Sequence, residues 1–545
     1  MIKLLSRDSL LALSQTTNIL FHLKQHNKDA QVITRKTKGD LNLNDPLYAM
    51  PEKGSTQAKA IFIKELEDGL LQNEGDVAVH SLKDLPTELP SNLELSHVCL
   101  EEDDRDLIIS KSSLDLDNLD NLKVGTSSLR RIEQLREYLP KAVFKNLRGN
   151  VITRLEKLIT TEDYDIIVLA AAGLKRLLLT KQQMEKPDFV ALLSDEIKAT
   201  MARDLDRLDK ISKAGLSFYL LDSLCCLPAV SQGKLGLEIK RTNKNLKEEL
   251  DQAFASDQDK IQEANTLREL LNVAEAGCHA AFGAKITEDR LDIYYKSEER
   301  TFRGYRSLCH GLDPIVKELK NDALTILWTG ADSEQFPVKQ GKLLNLPLFQ
   351  TKFANPPLPT ATKNLVIASK RILDFYDKCP VSADKLFAPG PVTAQTIKEN
   401  WGLLAEYPKT GLGIDYLSRE NLLSLTEDVL VLGSKESDAN HAAHFIKVYD
   451  NQIIQNITKP QMEPNRMVIL ALASPIAVQS AYENQLLDDY FLAVYGEKAK
   501  QLLESYGKKA YIYSDRGSLQ EFMQTITFSS LPKPLQWVQC DWESL

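Results

Sequence analysis

The 545-residue sequence predicts a multidomain α/β protein. Three observations predict it. Single hydrophobic cores rarely grow past about 250 to 300 residues, so a chain of this length divides into several, and at least three are expected. From residue 1 to about 240, short β-rich runs alternate with stretches of helical periodicity. In the last third, a strand-and-helix pattern echoes itself at a spacing near 100 residues.

Along the chain, strand-like IKLLS precedes the helical LLALSQTTNILFHLKQH, QVITRKT is followed by IFIKELEDGLLQN, and DVAVHSL closes the set. This βαβ rhythm implies parallel sheets with helices on both faces. A second series runs through KVGTSSLRRIEQLREYL, AVFKNLRGNVITRLEKLI and YDIIVLAAAGLKRLLL. From about Thr180 to Leu224 the chain is charged and helix-favouring, with no strand signal, and reads as a helical insertion. A smaller α+β unit with Cys278 follows, and from about Ala323 a third βα series starts with LTILWTG. There VIASKRILDFY and LFAPGPVTAQTIKENWG are echoed by VILALASPIAVQSAY and FLAVYGEKAKQLLESYG, which implies two related α/β lobes.

Composition excludes several classes of function. With 43% hydrophobic and 26% charged residues, and no apolar run near the ~20 residues that span a bilayer, a soluble protein without membrane partners is expected. Arg7 and Asp8 interrupt the apolar start and no small-residue cleavage site follows, so the cytoplasm is the expected compartment. Seven cysteines, scattered without CxxC spacing, argue against a disulfide framework and a zinc site. His22 and His26 share HxxxH spacing but have no HExxH glutamate, so no metal is expected. A net charge of -9 offers no long-range attraction for nucleic acid, and no GxGxxG or GxxxxGK[ST] motif indicates a nucleotide.

What the chain does offer is anion binding. In VGTSSLRRIEQL a strand ends at a turn and a helix begins near Ser127 or Ser128, leaving free backbone N–H groups beside Arg130 and Arg131. Arg148 ends another strand, Asn150 is placed to cap the next helix, Arg154 lies one turn into it, and Arg176 follows IIVLAAAGL in the same way. Any one of these arginines could be a solvated helix residue. Five at the carboxyl ends of one sheet point to a ligand with several carboxylates. In VHSLKDLP, Lys83 and Asp84 stand side by side at a strand end, although an Asp before a Leu-Pro turn is an ordinary turn residue and His80 an ordinary packed strand residue.

Taken together, RDSLLALSQ, VHSLKDLP, VGTSSLRR, LRGNVITRL, LAAAGLKRL, LPAVSQGKLGLE and EAGC resemble, in order, the motifs of the porphobilinogen deaminase (hydroxymethylbilane synthase) family. The resemblance implies two domains like a type II periplasmic binding protein (residues 1–97 with 226–240, and 98–225) and a third (241–320) carrying the cofactor cysteine. It implies a dipyrromethane cofactor held by a thioether at Cys278, which explains a lone cysteine among small residues. It also implies that Asp84 is catalytic, stabilising positive charge on a pyrrole nitrogen as ammonia leaves. Lys83, Ser127, Ser128, Arg130, Arg131, Arg148 and Arg154 are then expected to hold cofactor carboxylates, and Arg7, Ser9, Gln15, Lys59 and Arg176 to meet the substrate, porphobilinogen, or the growing chain. A monomer is expected.

This sequence departs from the family pattern in places. STQAKAIF stands where a GGKGLF loop is usual, keeping Lys59 between Ala58 and Ala60, and Ser231 replaces a usual glycine before Gln232. Residues 321–545 resemble uroporphyrinogen-III synthase through FAPGPVTAQTIKENWG, KVYDNQ and LASPIAV, although Ala499 replaces a threonine and LWTG lacks the usual TRP. The expected activity is therefore bifunctional: four porphobilinogen molecules become hydroxymethylbilane, which is closed to uroporphyrinogen III. A deaminase with an inactive appendage is the alternative. A solute-binding protein has the same architecture but no use for Cys278.

Overall fold

The structure, a computed structural model, describes residues 1–35, 63–114, 119–275, 281–297, 301–320, 324–329, 342–409, 414–424, 428–434, 444–460, 467–514, 519–527 and 536–542. Cys278 and Lys59 lie outside them. The chain divides into two compact units, one formed by Met1–Leu324, Pro337–Lys342 and Gly517–Leu545, the other by Thr325–Phe336 and Leu343–Arg516.

The first unit opens as the periodicity dictates. β1 (Ile2–Arg7), α1 (Leu10–Gln25), β2 (Ala30–Arg35), α2 (Lys64–Leu71), β3 (Val77–Ser81) and β4 (Leu93–Cys99) build the first domain. Leu10, Leu13, Thr17 and Leu20 line the buried face of α1 at helical spacing. The second domain comprises β5 (Asp106–Ser110), β6 (Lys123–Gly125), α3 (Leu129–Arg136), β7 (Val143–Lys145), α4 (Val151–Thr160), β8 (Ile166–Ala170), α5 (Ala171–Gln183), α6 (Pro187–Val190), α7 (Asp195–Ser212) and β9 (Ser217–Leu221). The chain then returns as β10 (Leu235–Lys240) to the first sheet, whose order is β2-β1-β3-β10-β4.

That return corrects the expectation of all-parallel sheets. β1 runs parallel to β2 and β3, but β10 is antiparallel to β3 and β4, and in the second sheet β5 is antiparallel to both β8 and β9. The physical reason is that the chain crosses between the domains twice, so the strands at each crossing enter from the opposite end. The crossings are pinned to one another: the Glu102 N–H donates to the Gly233 carbonyl at 3.0 Å. Gly233 has φ +90°, and a Cβ there would lie 2.3 Å from the Glu102 oxygen, so only glycine fits. Its neighbour Ser231 has φ +61°, a left-handed conformation where the absent glycine would be at ease.

The segment expected to be a strandless helical insertion contains β9, an inner strand of the second sheet. Its helices are also part of the core. α7 starts where Ser194 Oγ accepts the Ile197 N–H, with Asp195 and Glu196 in the first turn. It buries Ile197, Met201, Leu205, Leu208 and Ile211 in the main hydrophobic cluster of the unit.

A third domain follows: α8 (Lys244–Ala253), α9 (Gln258–Glu275), the antiparallel sheet β11 (Ala281–Thr287), β12 (Arg290–Lys296) and β13 (Thr301–Ser307), and α10 (Asp313–Lys320).

The second unit has two α/β sheets. In chain order it comprises β14 (Leu324–Trp328), β15 (Lys342–Asn345), β16 (Phe349–Phe353), β17 (Ala361–Ile367), β18 (Ser382–Phe387), α11 (Pro391–Trp401), α12 (Ile414–Arg419), β19 (Val429–Ser434), β20 (His444–Ile453), β21 (Met467–Leu472), α13 (Pro475–Glu483), β22 (Phe491–Tyr495), α14 (Glu497–Ser505) and β23 (Ile512–Ser514). One sheet has the order β15-β14-β21-β22-β23, the other β16-β20-β19-β17-β18. The internal echo is visible as β17 parallel to β18 in one sheet and β21 parallel to β22 in the other.

The end of the chain corrects the boundary drawn from the sequence, which gave all of residues 321–545 to the second module. α15 (Leu519–Ile526) and β24 (Trp537–Cys540) belong to the first unit. β24 pairs antiparallel with β9, making the second domain's sheet six-stranded, in the order β24-β9-β5-β8-β6-β7. Trp537 packs on Tyr219 and Trp542 on Phe218, with ring centroids 5.3 Å and 5.2 Å apart, so the edge strand is fastened by aromatic burial as well as by its ladder.

Candidate functional site

Three parallel strands of the second domain, β7, β6 and β8, end at helix starts, as the sequence predicts. Ser128 is the N-cap of α3, without a side-chain cap bond. Asn150 caps α4, its Oδ1 accepting the Thr153 N–H at 2.8 Å. Ser127 Oγ donates to the Leu147 carbonyl at 2.8 Å, tying the first junction to the second. The structure thus gathers Ser127, Ser128, Arg130, Arg131, Arg148, Arg154 and Arg176 at one end of this sheet.

Several of these groups serve the interior. Asp106, fully buried at the start of β5, accepts from Arg130 Nη2 and Arg131 Nη2, each at 2.8 Å. Burial alone would raise its carboxyl, but the two guanidinium groups hold it well below the usual carboxylate range. Arg130 also donates to the Leu227 carbonyl at 2.5 Å, and Arg131 to the Val168 carbonyl at 2.9 Å. Arg131 Nε is buried without a hydrogen-bond partner among the described residues. Arg176 donates to the backbone carbonyls of Leu100 (2.8 Å) and Gly233, one from each crossing between the domains. Burial pushes its pKa down to about 10.

The first domain contributes Lys83 and Asp84, in a short 3-10 turn at the end of β3. Asp84 is exposed. Lys83 Nζ donates to Gln232 Oε1 at 3.3 Å, and Gln232 Nε2 donates to the Asp106 carboxylate at 2.9 Å, so one amide bridges the two domains. Burial lowers the Lys83 pKa to about 8. Arg131 and Arg130 push the same way, against Asp84 and Asp106. Arg154, whose Nε donates to the Gly149 carbonyl at 2.7 Å, has a pKa lowered to about 10 by burial and by Arg131, with Asp84 opposing. Lys83, Asp84, Arg131 and Arg154 therefore share one electrostatic neighbourhood that carries an excess of positive charge.

On the substrate side, Gln15 is buried and donates to Ser81 Oγ at 2.7 Å, bracing the strand that leads to Lys83. Ser9 is the N-cap of α1 without a side-chain cap bond, and Arg7 ends β1. His80 is buried against Glu238, 3.0 Å away, as a packed strand residue. The sequence reading missed Asp106 and the bridging role of Gln232. Asp106 opens a strand in RDLIIS, where it resembles any strand-start aspartate, and its partners lie 24 and 25 positions away.

Two mixed α/β domains are joined by two crossings, and where they meet Lys83, Arg131 and Arg154 lie within electrostatic reach of one another and of the Asp84 turn, an arrangement chemically suited to an anionic ligand. A family model described as "Porphobilinogen deaminase, dipyromethane cofactor binding domain" matches residues 2–248. The porphobilinogen deaminase of Campylobacter fetus subsp. fetus is 36% identical over 296 residues, covering 54% of this chain and 82% of that protein. That of Prochlorococcus marinus (strain MIT 9215) is 33% identical over 329 residues, covering 59% and 89%. A solved mutant uroporphyrinogen III synthase from Thermus thermophilus covers 38% of this chain and 98% of its own at 14% identity and a TM-score of 0.25, a likeness too small to argue from. The chain belongs to the porphobilinogen deaminase family, and its cofactor is dipyrromethane. Among the described residues, no helix is long and apolar enough to cross a membrane.

Proposed function

We propose that the first unit joins four porphobilinogen molecules into hydroxymethylbilane with release of ammonia, and that the second closes this product to uroporphyrinogen III with inversion of the last ring. The observation that carries the first part is the Asp84 turn set against the cationic ends of the second domain's sheet. A dipyrromethane presents an acetate and a propionate on each ring, and the donor set fits it: Lys83, Arg148 and Arg154 are half-buried cations, and Arg131 adds positive charge from the interior through its pair with Asp106. Ser127, Ser128 and Arg130 complete the holding set, Arg130 through its hold on Asp106. Bound by a thioether at Cys278, the cofactor supplies the free pyrrole α-carbon to which units are added.

The chain's own residues do the rest. Arg7, Ser9 and Lys59 receive the carboxylates of porphobilinogen, while Gln15 and Arg176 brace the cleft. As the aminomethyl C–N bond breaks and the amine leaves as ammonia, positive charge spreads onto the pyrrole nitrogen, and Asp84 stabilises it with a carboxylate already in place.

For the second unit, support comes from the paired α/β sheets and from their helix starts. Pro391 follows Gly390 at the start of α11, which has no side-chain cap, and Pro475 follows Ser474 at the start of α13, where Ser474 Oγ accepts the Ala477 N–H; both helix starts carry the positive dipole end that suits an anionic ligand. Catalysis there rests on holding the folded linear product, without a dominant acid or base. Linking it to the deaminase raises its effective concentration where the unstable product is released. The reading of an inactive appendage has one observation in its favour. Ala499 stands in α14 in place of a threonine and is buried at 1% exposure.

Incubating the purified chain with porphobilinogen and analysing the cyclic product by isomer separates the cases. Type III product is expected. Type I alone removes the second activity, and unconsumed porphobilinogen removes the first.

A further inference from the structure

Arg268 lies near the middle of α9 and is 6% exposed. Among the described residues, no ion pair explains the burial of its guanidinium. Instead it forks onto three successive backbone carbonyls, of Leu85 (3.0 Å), Pro86 (2.5 Å) and Thr87 (3.3 Å). These belong to the turn that immediately follows Asp84. Pro86 cannot donate an N–H, so this turn has few ways to hold itself by its own backbone bonds. One such bond is present, from the Leu85 N–H to the Leu82 carbonyl at 3.1 Å.

The other end of the connection is equally direct. α9 ends at Glu275, and the chain then enters the segment that contains Cys278. From Arg268 to the helix end is about 10 Å at the rise of an α-helix. One buried side chain therefore joins the turn bearing the exposed carboxylate to the helix that leads to the cofactor cysteine.

We propose that Arg268 is a positioning residue of the deaminase: it holds the Asp84 turn in the same rigid frame as the helix leading to Cys278. The inference rests on the roles given above to Asp84 and Cys278. A planar guanidinium suits three carbonyls set side by side, whereas a lysine head, a single point charge, cannot fork across them.

The test uses the full chain loaded with its cofactor, as wild type, Arg268→Gln, Arg268→Lys and Asp84→Asn. Intact mass reports the covalent adduct, amide hydrogen exchange reports residues 82–89, and steady-state kinetics separates kcat from KM. Arg268→Gln is expected to keep the adduct, to exchange at 82–89 about tenfold faster or more, and to lose about tenfold or more in kcat with KM within about threefold. Arg268→Lys is expected to recover only part of kcat. Exchange at 82–89 like the wild type, or a kcat within about twofold of it, overturns the proposal. So does a loss of activity that only tracks the fraction of unfolded protein. If the glutamine variant does not accumulate folded, Arg268→Lys carries the test on the same readouts. A fully active Asp84→Asn overturns the role of Asp84 itself. An impaired Asp84→Asn beside an unimpaired Arg268→Gln overturns the positioning alone.

Discussion

Asp84→Asn is expected to lower kcat for porphobilinogen consumption by about 100-fold or more while leaving the protein as stable as the wild type. The size follows from removing a preorganised negative charge at the point where positive charge develops. The stability follows from exposure, since Asp84 is exposed and replacing an exposed polar side chain shifts stability by only about 0.5 kcal/mol. Steady-state kinetics and a thermal melt of the same preparation check both halves. A variant that loses activity and melting temperature together would make Asp84 a structural turn residue, the ordinary role for an aspartate before Leu-Pro.

Arg306→Met is expected to destabilise the first unit by about 3–5 kcal/mol, because it removes the guanidinium that neutralises the buried Glu318 carboxylate. Arg306 is fully buried, pairs with both Glu318 oxygens at 2.8 Å, and donates to the carbonyls of Thr525 and Ile526 at 2.9 Å and 2.8 Å. Those carbonyls end α15, where a cation satisfies both the unpaired backbone groups and the negative dipole end. The same side chain therefore fastens the chain's last segment to the third domain, a short distance in sequence before β24 completes the second domain's sheet. Arg306→Met combined with Glu318→Leu removes the buried carboxylate together with its guanidinium and is expected to recover part of the loss. Denaturant titration of the three proteins measures it, and amide exchange in β24 reports whether the terminal segment loosens with the pair.

Much of the site was legible because its signals are local. A strand followed by Ser-Ser-Leu-Arg-Arg or Arg-Gly-Asn, with the helical period beginning just after, places a helix N-terminus and its cations within a few residues of each other, and Ser128 and Asn150 are the caps found there. The internal echo was legible for a similar reason, since each copy is a contiguous strand and helix. What stayed hidden depends on distant partners. Asp106 becomes an anchor only because folding buries it between Arg130 and Arg131.

Strand direction was hidden too. Alternation shows where a strand lies and not which way it runs, so β10 and β5 gave no sign of being antiparallel to their neighbours. β9 is a run of five residues behind a long charged helix, and β24 is four residues that pair with it across more than 300 positions. Neither has enough sequence to announce itself without the other. Arg268 is hidden for the same reason, since the carbonyls it holds lie 183, 182 and 181 positions away in the chain.

The proposed activity depends above all on a thiol at position 278 that carries the primer on which the product is built. Its most direct measurement is the intact mass of the purified full chain, wild type against Cys278→Ala, beside their porphobilinogen turnover. The wild-type mass is expected to exceed that of the bare chain by one dipyrromethane, and the Cys278→Ala mass to equal that of the bare variant chain, with no turnover. A wild type without an adduct, or a Cys278→Ala chain that still consumes porphobilinogen, would contradict it.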